Sequence, residues 1–187
     1  LTEQYKNIVP HDVTQSDLVL GLEPARMDGN RELLGGRAPL WTPHLFAGTP
    51  AFRAGFSPPW MMAYLIKSPV VLAWTQLFVA LIAGMGMYYF CRRILGLGPW
   101  PSVIAAWCYP VTGSYVLWVG QWIPAVMCGL PWSLAAVDRA IRAPRGWGGP
   151  AVAIVTTLLL LGGAPDIAGQ VLMVSGFFAL WPMEKYL

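Results

Sequence analysis

Residues 69–91, PVVLAWTQLFVALIAGMGMYYFC, contain no charged side chain. An α-helix needs a run of about 20 apolar residues to cross the hydrocarbon core of a bilayer. The whole chain follows this pattern, since 56% of its residues are hydrophobic and only 11% are charged, whereas soluble domains are about 25% charged. We therefore expect an all-α integral membrane protein.

Apolar segments separated by short breaks predict about five transmembrane helices in residues 68–187. They cover residues 69–91, 101–119, 122–141, 150–163 and 167–181. Pro110 and Pro131 lie inside the second and third segments and predict kinks, because proline removes a helical hydrogen bond. Gly84 and Gly86 predict a small-residue face on the first helix, for close packing against another helix.

Residues 1–67 have a different composition, with six acidic and six basic side chains. They predict a loop-rich segment that packs on the bundle. Within it, SPPWMMAYLI at residues 57–66 is too short to span a membrane. It predicts an interfacial or re-entrant helix anchored by Trp60 and Tyr64. Because no initiator Met or signal peptide is present and the chain stops just after a span, we expect a piece of a longer polypeptide.

The basic residues predict the orientation of the bundle. Arginine and lysine follow the first, third and fifth spans, whereas the turns at 120–121 and 164–166 have none. The positive-inside rule places the arginine-containing loops in the cytoplasm, and residues 1–67 therefore on the opposite side. The net charge of +3 comes from dispersed basic residues, a distribution that argues against nucleic-acid binding.

Acidic residues are the first candidates for chemistry. Asp12 and Asp17 lie in HDVTQSD, where a carboxylate could act as a general base or, at Asp12, hold a divalent cation. An ordinary solvated acid or a helix N-cap is the alternative. Asp166 lies in GGAPDIAGQ at a turn between apolar segments. It is either a functional acid or the cap of the following helix, and Gln170, one turn on, shares its side.

The loop GGRAPLWTPHLFAGTP, residues 35–50, is stiffened by three prolines. It predicts a rigid cover over the mouth of the bundle, with Trp41 as a plug or anchor. His44 could bind a phosphate or act as an acid, or it is a hydrogen-bonded loop residue. Arg37 and Arg53 could clamp a lipid phosphate or pair with neighbouring acids, as could Arg26 and Arg31.

A second group of candidates lies at the 120–121 turn. Gln121 is flanked by Trp118 and Trp122, which could stack on a sugar ring or simply pack at the membrane surface. The three cysteines form neither a metal-ligand spacing nor a redox pair. Phosphate-loop, Gly-x-Ser-x-Gly and HExxH motifs do not occur in the sequence.

The order of these motifs resembles the N-terminal half of the YfhO family of bacterial membrane proteins. The chain has DVTQSD, then GGRAPLWTPHLFAGTPAF, a span ending YYFCRRILGLGPWPSVIAAWCYPVTGSY, QWIPAVMCGLPWSLAAVDRAI and LLLGGAPDIAGQ. That family resembles the GT-C glycosyltransferases, which use polyprenyl-phosphate-linked sugars on the outer face of the membrane. The resemblance covers nearly the whole chain, and its distinctive motif is the Pro-Leu-Trp-x-Pro loop.

The resemblance implies a GT-C-like membrane glycosyltransferase in the bacterial cytoplasmic membrane. Its partners would be membrane lipids and a polyprenyl-phosphate sugar donor, and Asp12, with Asp17 as second choice, would be the catalytic base. Thr42 stands where the family has Asn, and Ala164 and Asp166 replace the His and Gln of its Gly-His-Pro-Gln-like turn. These departures keep a second hypothesis open, a non-catalytic accessory subunit of a larger membrane complex. A transporter is a third, although no predicted span has a charged residue near its middle.

Overall fold

The computed structural model describes residues 21, 23–43, 47–50, 58–66, 68 and 70–183, except the side chains of residues 49, 50 and 181–183. This part of the chain is mostly helical, as the composition predicts. The helices are α1 (Glu23–Leu34), α2 (Pro58–Leu65), α3 (Val70–Tyr89), α4 (Pro99–Cys108), α5 (Gly113–Leu117), α6 (Ile123–Met127), α7 (Leu130–Arg142), α8 (Gly148–Leu160) and α9 (Pro165–Met183). A π-helical turn, Phe90–Ile94, extends α3.

Among the described residues, one helix is long and apolar enough to cross a membrane. This helix comprises α3 and its π-helical extension, Val70–Ile94, and only 28% of its most apolar window is buried inside the protein. Helix α8 and residues Pro165–Leu180 of α9 are apolar but shorter. The all-helical class is therefore confirmed, while five membrane crossings remain a prediction.

The second and third predicted spans are each divided in two. Residues Tyr109–Val111 form a 3₁₀ turn between α4 and α5, as the interruption at Pro110 indicates. The third span breaks at Gly129, between α6 and α7. Pro131 therefore lies in the first turn of α7 and does not kink it, because the proline's missing N–H is unneeded there.

The bundle has two distinct ends. At the end that we call the arginine end, the Phe90 and Phe178 rings meet edge to face at 5.8 Å, and the π-helical turn packs on α7. At the opposite end, which we call the Gln121 end, the Gln76 side chain donates to the Gln121 carbonyl at 3.3 Å. Ala164 is buried there in a cluster with Val126. The C-terminal parts of α3 and α9 therefore lie at the same end of the bundle.

Gly84 and Gly86 pack closely against other helices, but on two different sides of α3. A methyl group at Gly84 would lie 3.0 Å from the Ala106 carbonyl of α4, and one at Gly86 would lie 2.5 Å from Trp132 Nε1 of α7. Residues two apart do not share a helix face. The predicted close helix packing is therefore confirmed at both glycines, but it occurs on two faces of α3 rather than on one.

The segment predicted to be loop-rich contains α1, which was not expected. After α1, the chain forms a short antiparallel pair, β1 (Trp41–Thr42) and β2 (Thr49–Pro50), in which Trp41 faces Pro50. The backbone of Gly48, with φ of +115°, lies against the Trp41 ring, where a methyl group would be 2.7 Å from the nearest ring atom. Only glycine suits both this close approach and this backbone angle.

Helix α2 occupies the predicted position but is not anchored at a surface. Trp60 is 2% exposed and Tyr64 is 4% exposed, so both rings are buried by protein. Pro58 and Pro59 line a cavity with Ile82 of α3, well along α3 from its first residue. Helix α2 thus begins inside the bundle and ends near the Gln121 end, which favours the re-entrant alternative over the interfacial one.

Candidate functional site

The candidate site lies where α1 docks on the C-terminal end of α2. The last carbonyls of a helix have no partner within the helix. Arg26 supplies donors to two of them: its Nη1 donates to the Ala63 and Ile66 carbonyls, both at 2.8 Å. Its Nε and Nη2 donate to the two carboxylate oxygens of Glu23, at 2.7 and 2.6 Å. A buried cation therefore joins α1 to α2.

Two further contacts reinforce this junction. The Asn30 side chain donates to the Tyr64 carbonyl, so that α1 satisfies three of the four carbonyls of residues 63–66 at the end of α2. Gly29 permits the approach, because a methyl group there would lie 2.9 Å from the Tyr64 ring. The hydrogen bond from Arg26 lowers the pKa of the Glu23 carboxyl below its ordinary value, and the pair stays ionised at neutral pH.

A cavity of about 190 Å³ opens beside this junction, lined by Arg26, Met27, Asn30 and Arg31. Glu23 balances the charge of Arg26. The side chain of Arg31 is exposed, and it makes no ion pair in the part of the chain that the structure describes. The cavity therefore offers one uncompensated guanidinium beside an amide, a combination suited to a small anion.

An apolar groove adjoins the basic cavity. It has a volume of about 560 Å³ and runs between α2 and α3, with Ile66, Trp74 and Phe78 among its lining residues. Ile66 connects the two features, because its side chain lines the groove and its carbonyl accepts the hydrogen bond from Arg26. The hydrogen bond from Arg26, which lines the cavity, to Ile66, which lines the groove, thus links the two features.

Three polar groups in the nearby core lack hydrogen bonds within the described residues: Trp60 Nε1, Thr75 Oγ1 and the Tyr115 hydroxyl. Trp60 and Tyr115 belong to one buried cluster. Thr75 lies on the same face of α3 as Val71 and Val79 of that cluster. An unpaired buried polar group costs about 1–3 kcal/mol. This part of the core would therefore be stabilised by a polar partner.

Two predicted binding residues lie near the cavity without lining it. Arg37 pairs with Glu32 on the surface, its Nε donating at 2.7 Å, and this hydrogen bond lowers the pKa of Glu32. Trp41 is 59% exposed and packs on Gly48, so it does not plug the bundle. The following residue, Thr42, contacts Asp28 of α1 at 3.5 Å. The loop is thereby attached to α1.

The other candidates in the described part of the chain lie at the Gln121 end, where no hydrogen bond or ion pair joins them to one another. Gln121 is buried, and its carbonyl accepts from Gln76. Helix α9 begins at Pro165 rather than at Ile167, so Asp166 lies inside the first turn, is exposed, and does not occupy the cap position that the alternative predicted. Gln170, one turn further along α9, is exposed too. Ala164, at the position where the resemblance implies a histidine, is buried.

Asp12, Asp17, His44 and Arg53 lie outside the described residues, and their predicted roles remain predictions. Within the described ranges, no group of three or more His, Cys, Asp or Glu side chains could hold a metal ion. The divalent cation proposed at Asp12 therefore rests on the sequence alone.

Sequence reasoning placed Arg26 and Arg31 only in a general set of cations, and it missed Asn30. The spacing of these residues indicates a polar helical face. Arg26 and Asn30 are four residues apart, and Glu23 lies three residues before Arg26, so all three side chains share one face of a helix. This face was not recognised because α1 has little apolar character and was not predicted as a helix.

Comparison with known proteins adds no relative: no family model matches the chain, and no curated protein or solved structure matches it significantly.

Proposed function

We propose that this chain is part of a polytopic membrane protein that binds a polyprenyl-phosphate-linked sugar at the Gln121 end. The membrane placement is supported by the exposed apolar surface of Val70–Ile94. A core helix of a soluble protein would be mostly buried, whereas lipid tolerates such a surface. The arginine end would then face the cytoplasm and the Gln121 end the outside.

The observation that carries the binding proposal is the basic cavity beside the apolar groove. Arg31 would contact the lipid phosphate, Asn30 would add a hydrogen-bond donor, and the groove containing Trp74 and Phe78 would hold the first part of the prenyl chain.

The resemblance to GT-C enzymes supports glycosyl transfer as the reaction. Asp12 would take the proton from an acceptor hydroxyl, whose oxygen would form a bond to the anomeric carbon. The bond from that carbon to the phosphate oxygen would break, and polyprenyl phosphate would leave. Arg31 would stabilise the negative charge on the departing phosphate. No step is assigned to a metal ion.

Binding of undecaprenyl phosphate to the purified full-length protein in detergent tests this proposal, measured by native mass spectrometry. We expect Arg31→Gln to weaken binding by about tenfold, because a hydrogen bond to a charged group is lost. Arg37→Gln is the matched control, since it removes an equal charge from a side chain already paired with Glu32. Equal affinities of the two variants would contradict the assignment of the cavity.

A non-catalytic accessory subunit is the second candidate, and one observation favours it. Ala164, at the position where the resemblance implies a histidine, is 3% exposed, so that position carries no polar side chain. Transfer assays on full-length Asp12→Asn distinguish the two functions. Loss of transfer supports the enzyme, whereas a wild-type protein that binds polyprenyl phosphate but transfers no sugar supports the subunit.

A further inference from the structure

We propose that a second lipid site lies at the arginine end and binds an anionic phospholipid of that leaflet. The inference relies on membrane placement but not on glycosyl transfer or on the cavity of α1. It starts from two neighbouring features of α3 and its π-helical extension. One is a polar cavity, and the other is an apolar groove that shares two side chains with it.

The polar cavity has a volume of about 310 Å³ and is lined by Tyr88, Tyr89, Arg92 and Arg93. Both arginines are exposed, and within the described residues neither pairs with a carboxylate. Arg92 uses its Nη1 to donate to the Leu97 carbonyl at 2.6 Å. A guanidinium has five N–H donors, so others remain for a phosphate.

The apolar groove lies between α3 and α4 and has a volume of about 690 Å³. It runs along α3 from Ala80 to Tyr89, and Val103 and Trp107 form part of its α4 side. The distance along the helix axis from Ala80 to Tyr89 is nine residues, or about 13 Å. One leaflet contributes about half of the roughly 30 Å hydrocarbon core. The groove is therefore about as long as one leaflet is thick.

Tyr88 and Tyr89 line both features and join them into one amphipathic site. Tyr89 is held in place by stacking on Trp132, with ring centroids 6.1 Å apart. The two arginines lie at the end of the groove where a lipid of that leaflet carries its phosphate. This charge complementarity selects an anionic phospholipid over an uncharged transmembrane helix as the occupant.

The other arginines of this end do not form such a site. Arg142 pairs with Asp138 at 2.8 Å. Arg139 and Arg145 are exposed and do not line the polar cavity. They provide a matched control with the same charge at the same end of the bundle.

Native mass spectrometry of the purified protein with dioleoyl phosphatidylglycerol, and with phosphatidylcholine of the same chains, tests the proposal. We expect wild type to prefer phosphatidylglycerol. Arg92→Gln/Arg93→Gln should weaken that binding by at least about tenfold, since hydrogen bonds to a charged phosphate are lost. Arg139→Gln/Arg145→Gln should change it by no more than about twofold, because these exposed charges lie outside the cavity and are screened.

A second variant tests the groove while leaving the arginines intact. Val103→Trp fills the groove and should weaken phosphatidylglycerol binding by at least about tenfold, equivalent to about two methylene groups displaced from apolar contact. The proposal is overturned if both double variants lose affinity equally, if phosphatidylcholine binds as tightly as phosphatidylglycerol, or if Val103→Trp binds like wild type.

Discussion

Replacing Arg26 with alanine should release α1 from α2. The substitution deprives the Ala63 and Ile66 carbonyls of donors at 2.8 Å. An unsatisfied buried group costs about 1–3 kcal/mol. The Ile66 bond is only partly buried, and Glu23 can be hydrated once it loses its partner, so we expect a loss of about 3 kcal/mol in the local stability of α1.

Hydrogen exchange of the protein in detergent, followed by mass spectrometry, measures this loss. At about 1.4 kcal/mol per factor of ten, amides of α1 should exchange about a hundredfold faster in Arg26→Ala. Peptides from α7 should be unchanged. Arg37→Ala, which breaks an exposed ion pair close to α1, should alter exchange by no more than about fivefold. Equal exchange of α1 in the two variants would refute the proposed role of Arg26.

Two further predictions concern pH and packing. Because Arg26 lowers the pKa of Glu23 below its ordinary value of 4.5, the ionised carboxylate contributes its full stabilisation above that pH. The contribution is lost as the pH falls through the lower folded-state pKa, so exchange of α1, corrected for intrinsic rates, should rise below about pH 4.5 in wild type but not in Glu23→Gln. Gly86→Val should lower the apparent Tm because its side chain would collide with Trp132, at a cost of about 2 kcal/mol. Gly176→Ala, where no atom lies within 4 Å of the added methyl, should not lower it, and an equal decrease in both variants would contradict this packing.

Sequence patterns predicted the long apolar helices well, because their signal is local. Helix α3 extends from Val70 to Tyr89, within the predicted span of 69–91. The break at Tyr109–Val111 was also visible, since proline and glycine interrupt the apolar run there. The break at Gly129 was not predicted. Pro131 can either kink the interior of one long helix or occupy the first turn of a new helix, and the sequence alone does not distinguish these two positions.

The candidate site was harder to predict because its contacts are long-range. Arg26 donates to carbonyls that lie 37 and 40 residues further along the chain. Every residue has a backbone carbonyl, so the sequence does not indicate which carbonyls Arg26 would contact. Arg31 and Arg37 are the same residue type in the same segment, so the sequence does not tell them apart. Only the structure shows that Glu32 pairs with Arg37. The prediction that Asp12 or Asp17 is the catalytic base depends on the family resemblance, and both residues lie outside the described part of the chain.

Labelling with a membrane-impermeant maleimide on intact cells tests the central claim of membrane placement and orientation most directly. In a background with Cys91, Cys108 and Cys128 replaced by alanine, single cysteines are introduced as Met27→Cys, Asp166→Cys and Ala143→Cys, all at exposed positions. The account predicts that the first two react without lysis and that Ala143→Cys reacts only after lysis. Labelling of Ala143→Cys in intact cells while Met27→Cys and Asp166→Cys stay protected, or recovery of the protein in the soluble fraction, would contradict it.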